Sequence, residues 1–280
     1  MKKILPAIIT AALLNPSAAL AMESTDFAGD TPEADTVVSL RMQDDEPEDG
    51  TCTGTAIAPH WVLTARHCME MFDTPGGSVR ILQGDQQRTY AVDRWEKAPI
   101  GDIGLIHTVE DMQLRTYATL PDVELANGEV TVYGWSSDGS GGSEKLPVAT
   151  GTSEVSDEAP ALFDAPSAAV VTLANGARIQ PGDSGGPIFQ DGRIAAVMSA
   201  GLFTNPDNPS EEELLSNPKV AVAPVASQVE WIKSVISAPE PSPEERMPEE
   251  ERSKFPLGVV IAFGVFVAAL AAFGISRTRS

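Results

Sequence analysis

At 280 residues and 42% hydrophobic content, the chain can bury a large core, and it suits one globular region with appendages better than several independent domains. A formal charge of −21 argues against nucleic acid as a partner, because phosphate binding needs a basic surface. The same charge keeps the protein soluble and tilts its long-range field toward basic partners.

Met1-Lys2-Lys3, the apolar run 4–14 and the small-residue triplet Ala19-Leu20-Ala21 form a charged region, an apolar region and a cleavage site in that order. Residues 1–21 therefore read as a secretory signal peptide cut after Ala21, too short in its apolar part to span a bilayer. The mature chain begins near Met22 and leads through a polar segment, residues 23–35, into the first strand. Short β-rich runs at 37–40, 55–58, 62–65, 79–82, 90–95 and 103–107 alternate with Gly, Pro, Asp and Gln turns, a spacing that predicts a small antiparallel barrel. A second series at 130–134, 148–152, 170–173, 188–189, 194–198 and 220–223 predicts another, with residues 114–127 as the link. Acidic residues 44–50 read as a solvated hairpin tip, and Gly/Ser-rich residues 136–144 as a flexible loop.

Ser227-Gln228-Val229-Glu230 has the form of a capping box, and Trp231, Ile232, Val235 and Ile236 then share one apolar helical face that closes the domain at residue 237. Residues 238–255, rich in Pro, Glu and Arg, cannot bury enough apolar surface to fold and read as an extended linker. Residues 256–275 carry no charge and, at roughly 30 Å as a helix, predict a transmembrane span. The basic tail 276–280, with Arg277 and Arg279, places the C-terminus in the cytoplasm and the barrels outside. A cleavable sorting signal has the same shape, but no LPxTG or Gly-Gly motif precedes the span.

Three segments carry chemistry. Pro181-Gly182-Asp183-Ser184-Gly185-Gly186-Pro187 sets a serine in a glycine-rich turn whose backbone can aim two N–H groups at one point. Trp61-Val62-Leu63-Thr64-Ala65-Arg66-His67-Cys68 carries a candidate base, and Gly101-Asp102-Ile103-Gly104-Leu105-Ile106 a candidate orienting acid. Among the other histidines, His60 beside Pro59 and His107 at a strand end read as surface residues. Asp73, Asp85 and Asp93 read as turn or strand-edge acids; only Asp102 leads an apolar strand. The two cysteines, Cys52 and Cys68, flank the His67 segment, and an even count in an exported chain suits a disulfide, with free thiols or a metal pair as alternatives.

These segments, in the order His, Asp, Ser and together with Thr53-Gly54-Thr55-Ala56-Ile57, resemble the trypsin/chymotrypsin family of serine endopeptidases. Softer matches at Val37-Val38-Ser39-Leu40, Tyr133-Gly134-Trp135-Ser136 and Val229-Glu230-Trp231-Ile232 extend the likeness over roughly residues 30–237. The resemblance implies two six-stranded antiparallel β-barrels with a C-terminal helix, a polypeptide substrate, and neither cofactor nor metal. It assigns Ser184 as nucleophile, His67 as general base, Asp102 as its orienting acid, and the Gly182 and Ser184 N–H groups as the oxyanion hole. It also implies that Cys52 pairs with Cys68, and that Ser199 and Gly201 line the substrate cleft, Ser199 bonding Asp102. By ungapped alignment Arg178 falls where tryptic enzymes keep a pocket-floor Asp, so a Lys or Arg before the scissile bond is not expected. An Arg178 in the pocket suits an acidic P1 residue; one turned elsewhere suits a small apolar P1, with Val220 narrowing the wall.

The sequence departs from the digestive enzymes of that family in lacking an Ile-Val-Gly-Gly-like start after a basic residue. The partner of Asp183 is then either an N-terminus made at Phe27 or, as the expectation adopted here, an internal cation, with Arg178 a candidate. A catalytically silent protease-like module used for partner binding is the rival reading. A lipase-type hydrolase fits less well, since its triad runs Ser, Asp, His on an α/β frame.

Overall fold

Alternation of buried and exposed residues turns the predicted runs into strands. In β8 (Val148–Val155), for example, Ala149, Gly151 and Ser153 are buried while Thr150, Thr152 and Glu154 face solvent. The computed structural model describes residues 22–42, 51–70, 72–81, 87–135, 145–155, 162–202, 210, 213 and 216–239. The first barrel comprises β1 (Val37–Arg41), β2 (Thr51–Ala58), β3 (Trp61–Thr64), β4 (Ser78–Ile81), β5 (Arg88–Lys97) and β6 (Gly104–Thr108). The second comprises β7 (Gly128–Tyr133), β8, β9 (Ala169–Leu173), β10 (Pro187–Gln190), β11 (Arg193–Gly201) and β12 (Lys219–Pro224). Each is closed and antiparallel, in the orders β1-β2-β3-β6-β5-β4 and β10-β11-β12-β9-β8-β7. Closure leaves neither sheet an unpaired edge.

Two features of the ladders position side chains that matter below. Leu63 pairs with Leu105 and Thr64 with Gly104, so the chain leaving β3 toward His67 runs beside the chain entering β6 from Asp102. In β11 the register against β12 shifts between Met198 and Ala200, which leaves Ser199 as the extra residue of a bulge, outside the regular pairing.

Helix α1 (Val229–Ile236) buries Val229 and Ile232 in the same apolar cluster as the first barrel. It is entered from a 3-10 turn, Ala226–Gln228, without a side-chain cap. Ser227 thus sits inside a turn already satisfied by backbone bonds, Gln228 N–H to Val225 O among them, and is not the helix cap expected from the sequence. Residues 23–35, read as a polar lead-in, are pinned instead. Glu23 and Arg178 exchange both backbone hydrogen bonds, Ser24 Oγ donates to Val148 O at 2.7 Å, and Arg115 bridges Asp30 and Asp35. The expected loops 44–50 and 136–144, the signal peptide, most of the linker, the transmembrane span and the tail lie outside the described residues. Among those described, no helix is long and apolar enough to cross a membrane. The chain divides into two units, Met1–Ile236 and Ser237–Ser280.

Candidate active site

His67 lies in a 3-10 turn, Arg66–Met69, directly after β3, and the Cys52–Cys68 disulfide fastens that turn to β2. Asp102 is 1% exposed and accepts three hydrogen bonds. The His67 backbone N–H donates to Oδ1 at 2.8 Å, the imidazole Nδ1 lies 2.7 Å from Oδ2, and Ser199 Oγ donates to Oδ2 at 2.5 Å. An ionised carboxylate only accepts, so Nδ1 carries the proton and Nε2 keeps its lone pair for another group. Two bonds from one residue, backbone and ring, fix both the place and the tilt of the imidazole. The bulge in β11 frees Ser199 to supply the third.

Ser184 sits in a turn laced to the first barrel. Thr53 N–H donates to Ser184 O at 2.8 Å and Thr53 Oγ1 to Gly182 O at 2.9 Å, while Gly185 N–H reaches Met198 O at 2.8 Å. Gly185 has φ +78°, and a Cβ there would strike Thr64 Oγ1, Thr53 O and Ala65 N, so only glycine lets the turn lie against the chain that leads to His67. Among the described residues, the N–H groups of Gly182 and Ser184 donate to no other protein group, and Ser184 Oγ is not hydrogen-bonded to His67. In a ligand-free site that last contact is commonly long and closes with substrate.

Ser184 and Ser199 line one cleft together with Ile179, Gln180, Asp183, Met198, Ala200, Gly201 and Val220; its cavity volume is about 50 Å³. Arg178 does not line it. Its backbone pairs with Glu23, and its half-exposed guanidinium meets the Glu23 carboxylate at 3.4 Å, which turns the side chain away from the cleft and away from Asp183. The expectation that Arg178 binds substrate or neutralises Asp183 is thereby corrected. Phe27 is no partner of Asp183 either, being 37% exposed and bridged to Pro147. Asp183 Oδ1 instead accepts from Met22 N at 3.1 Å, and Oδ2 from Gln180 N at 2.8 Å. Burial pushes the Asp183 carboxyl up to about 7, against the pull of those two backbone bonds. Met22, missed from the sequence, bore a signal in the adjacent cleavage site but none pointing to Asp183.

His107 departs from its expected surface role. It is 3% exposed, its Nδ1 lies 2.6 Å from Asp93 Oδ1, and its ring stacks on His60 and meets Trp61 edge-on. A register shift in β5 between Val92 and Arg94 turns Asp93 toward His107, so this acid is neither a turn nor a solvated edge. His60 Nδ1 is bonded to Thr108 O at 3.0 Å. Among the described residues, no cluster of His, Cys, Asp or Glu forms a metal site.

The sequence profile of the trypsin family matches residues 28–232. A peptidase of Corynebacterium glutamicum (strain R), named as uncharacterized, is 28% identical over 233 residues, covering 78% of this chain and 73% of that protein. A trypsin of Simulium vittatum is 27% identical over 176 residues, covering 54% of this chain and 70% of its own. Among solved structures, a mutant of human heparin binding protein (CAP37) superposes with a TM-score of 0.60 at 21% identity, over 80% of this chain and 99% of the other. Neuropsin, a serine protease of mouse brain, gives 0.55 at 21% identity over 74% and 97%. These last two speak to the double-barrel fold alone. The family match makes this chain a member of the trypsin family and, with the peptidase relatives, a serine-type endopeptidase.

Proposed function

We propose that the protein is an exported, membrane-anchored endopeptidase that works through an acyl-enzyme on Ser184. As Ser184 Oγ bonds to the scissile carbonyl carbon, His67 Nε2 takes its proton; collapse of the tetrahedral adduct breaks the C–N bond, and His67 returns the proton to the leaving amine. Water then attacks the ester, giving a proton to His67, which restores it to Ser184 as the acid departs. Asp102 holds the ring tautomer and stabilises the imidazolium. The Gly182 and Ser184 N–H groups stabilise the oxyanion, a contribution of about 3 kcal/mol per donor in comparable sites. The observation that carries this reading is the triply bonded Asp102 carboxylate, which fixes the His67 ring and is tied through Ser199 to the cleft that Ser184 lines.

The substrate class follows from the lining. Ile179, Met198, Ala200 and Val220 present apolar surface around a small volume, and Arg178 is elsewhere, which supports a small apolar P1 residue rather than an acidic one. Anchoring rests on the uncharged run 256–275 and its basic tail, with the signal peptide directing the barrels outward. The test is fluorophosphonate labelling of the intact protein followed by a P1-varied peptide library. Labelling lost in Ser184→Ala and turnover fastest with Ala or Val at P1 are the expected results. A wild-type protein that does not label is a silent binding module instead.

A further inference from the structure

Residues 162–165, between β8 and β9, make a turn that one of their own side chains does not favour. Ala165 N–H donates to Leu162 O at 3.2 Å across the central residues Phe163 and Asp164, each at φ +55°. Glycine, Asn and Asp adopt that left-handed form readily, whereas a bulky side chain there is strained and persists only where its surroundings hold it. What holds Phe163 belongs to the first barrel. Its carbonyl accepts from Gly101 N–H at 2.7 Å, and the Arg66 guanidinium carbon stands 4.4 Å from the centre of its half-buried ring. Gly101 directly precedes Asp102, and Arg66 directly precedes His67.

Arg66 is the centre of a three-way joint. Besides meeting the ring, it donates from Nη1 to Ala98 O at 3.0 Å and from Nε to Glu70 Oε1 at 2.6 Å, and Glu70 in turn meets Lys97 Nζ at 3.3 Å. The turn before Asp102 is closed by Ala98 N–H, which donates to Ile103 O at 3.0 Å. One guanidinium thus joins the His67 turn, the Asp102 turn and the Phe163 turn, held at its edge by oxygen acceptors and on its face by the ring. We infer that Phe163 is a positioning residue: reaching across from the second barrel, its carbonyl and ring hold Gly101 and Arg66, and so align the Asp102 carboxylate with the His67 imidazole. The contact at stake is the 2.7 Å approach of His67 Nδ1 to Asp102 Oδ2, whose geometry a shift of either preceding residue would spoil. Ser199 and Phe163 are then complementary contacts from the second barrel, one on the carboxylate itself and one on the segments that carry it and its partner. Strain marks the role, because glycine at 163 would suit the backbone better and lose the ring.

Because this role presupposes the endopeptidase activity, the test reads geometry and catalysis separately, on the full chain in detergent. Phe163→Gly suits the backbone and removes the ring, Phe163→Leu keeps apolar bulk without the π face, Phe163→Tyr keeps the ring, and Arg66→Met removes the cation. We expect the first two to lower kcat by roughly tenfold or more with KM within about twofold, while Phe163→Tyr stays within about twofold of the wild type. Arg66→Met combined with Phe163→Leu should cost no more than the worse of the two alone, as coupled residues do. Proton NMR of the imidazole Nδ1–H reads the geometry without catalysis. His67 and His107 both place Nδ1 against a carboxylate, at 2.7 Å from Asp102 and 2.6 Å from Asp93, and His67→Ala assigns the two signals. Loss of the ring should shift or broaden the His67 signal, leave that of His107 in place as the internal control, and be reversed by Phe163→Tyr. A Phe163→Gly protein with unchanged kcat and an unchanged His67 signal overturns the inference, as does a loss of activity that Phe163→Tyr shares. A His67 signal that moves as expected in a protein that never labels with fluorophosphonate leaves the brace standing and removes the activity.

Discussion

Asp102 gathers its donors from three places: a turn after β3, the ring of the same residue, and a bulge in β11 ninety-seven positions along the chain. Hydrogen bonds to a charged group contribute about 1.5–3 kcal/mol each, so Ser199→Ala should lower kcat by about 10- to 100-fold while leaving fluorophosphonate-detectable Ser184 in place. Steady-state kinetics with a P1 alanine peptide would measure it. At Asp183 burial sets the sign of the pH effect. It raises the carboxyl to about 7, so the folded state holds its proton above the pH at which the unfolded chain releases it. That contribution is fully present below the ordinary carboxylate range, near pH 4, and is lost as pH rises toward 7. Thermal unfolding followed against pH should therefore show Tm falling across that window.

At the scale of elements, the strands were legible because their signal is local: alternation with period two, bounded by turn residues. All twelve predicted runs coincide with strands. The bulges at Ser199 and Asp93 were not legible, since an unpaired residue is defined by the partner strand's register and not by its own neighbours. The same reasoning explains the misread entry to α1, where a 3-10 turn satisfied the backbone that a Ser227 cap would have served. The Cys52–Cys68 bridge closes a separation of 16 residues between β2 and the His67 turn. In the chain-entropy account such a loop contributes about 3 kcal/mol, so the double substitution to Ala should lower Tm by roughly 6–12 °C. Differential scanning calorimetry would measure the shift, and Ser184 labelling should slow because the His67 turn loses its fastening.

Across the whole molecule, composition and charge had already set the bounds within which the site works. The chain divides into units 1–236 and 237–280. A chain ending at residue 237 should keep kcat/KM within about twofold and Tm within about 2 °C of the full-length protein, because both barrels and α1 lie before that point. It should be released from membranes by a carbonate wash that leaves the full chain behind; release of both forms alike would count against the anchor.

Length, alternation and the three chemical segments were decided by the sequence alone, since each is a property of neighbouring residues and survives any arrangement of the rest. The direction of Arg178, the third bond on Asp102 and the nitrogen that meets Asp183 were decided only by tertiary structure. Each joins groups on segments far apart in the chain, 161 residues in the case of Met22 and Asp183, and only the closure of two barrels determines which of many possible partners arrives.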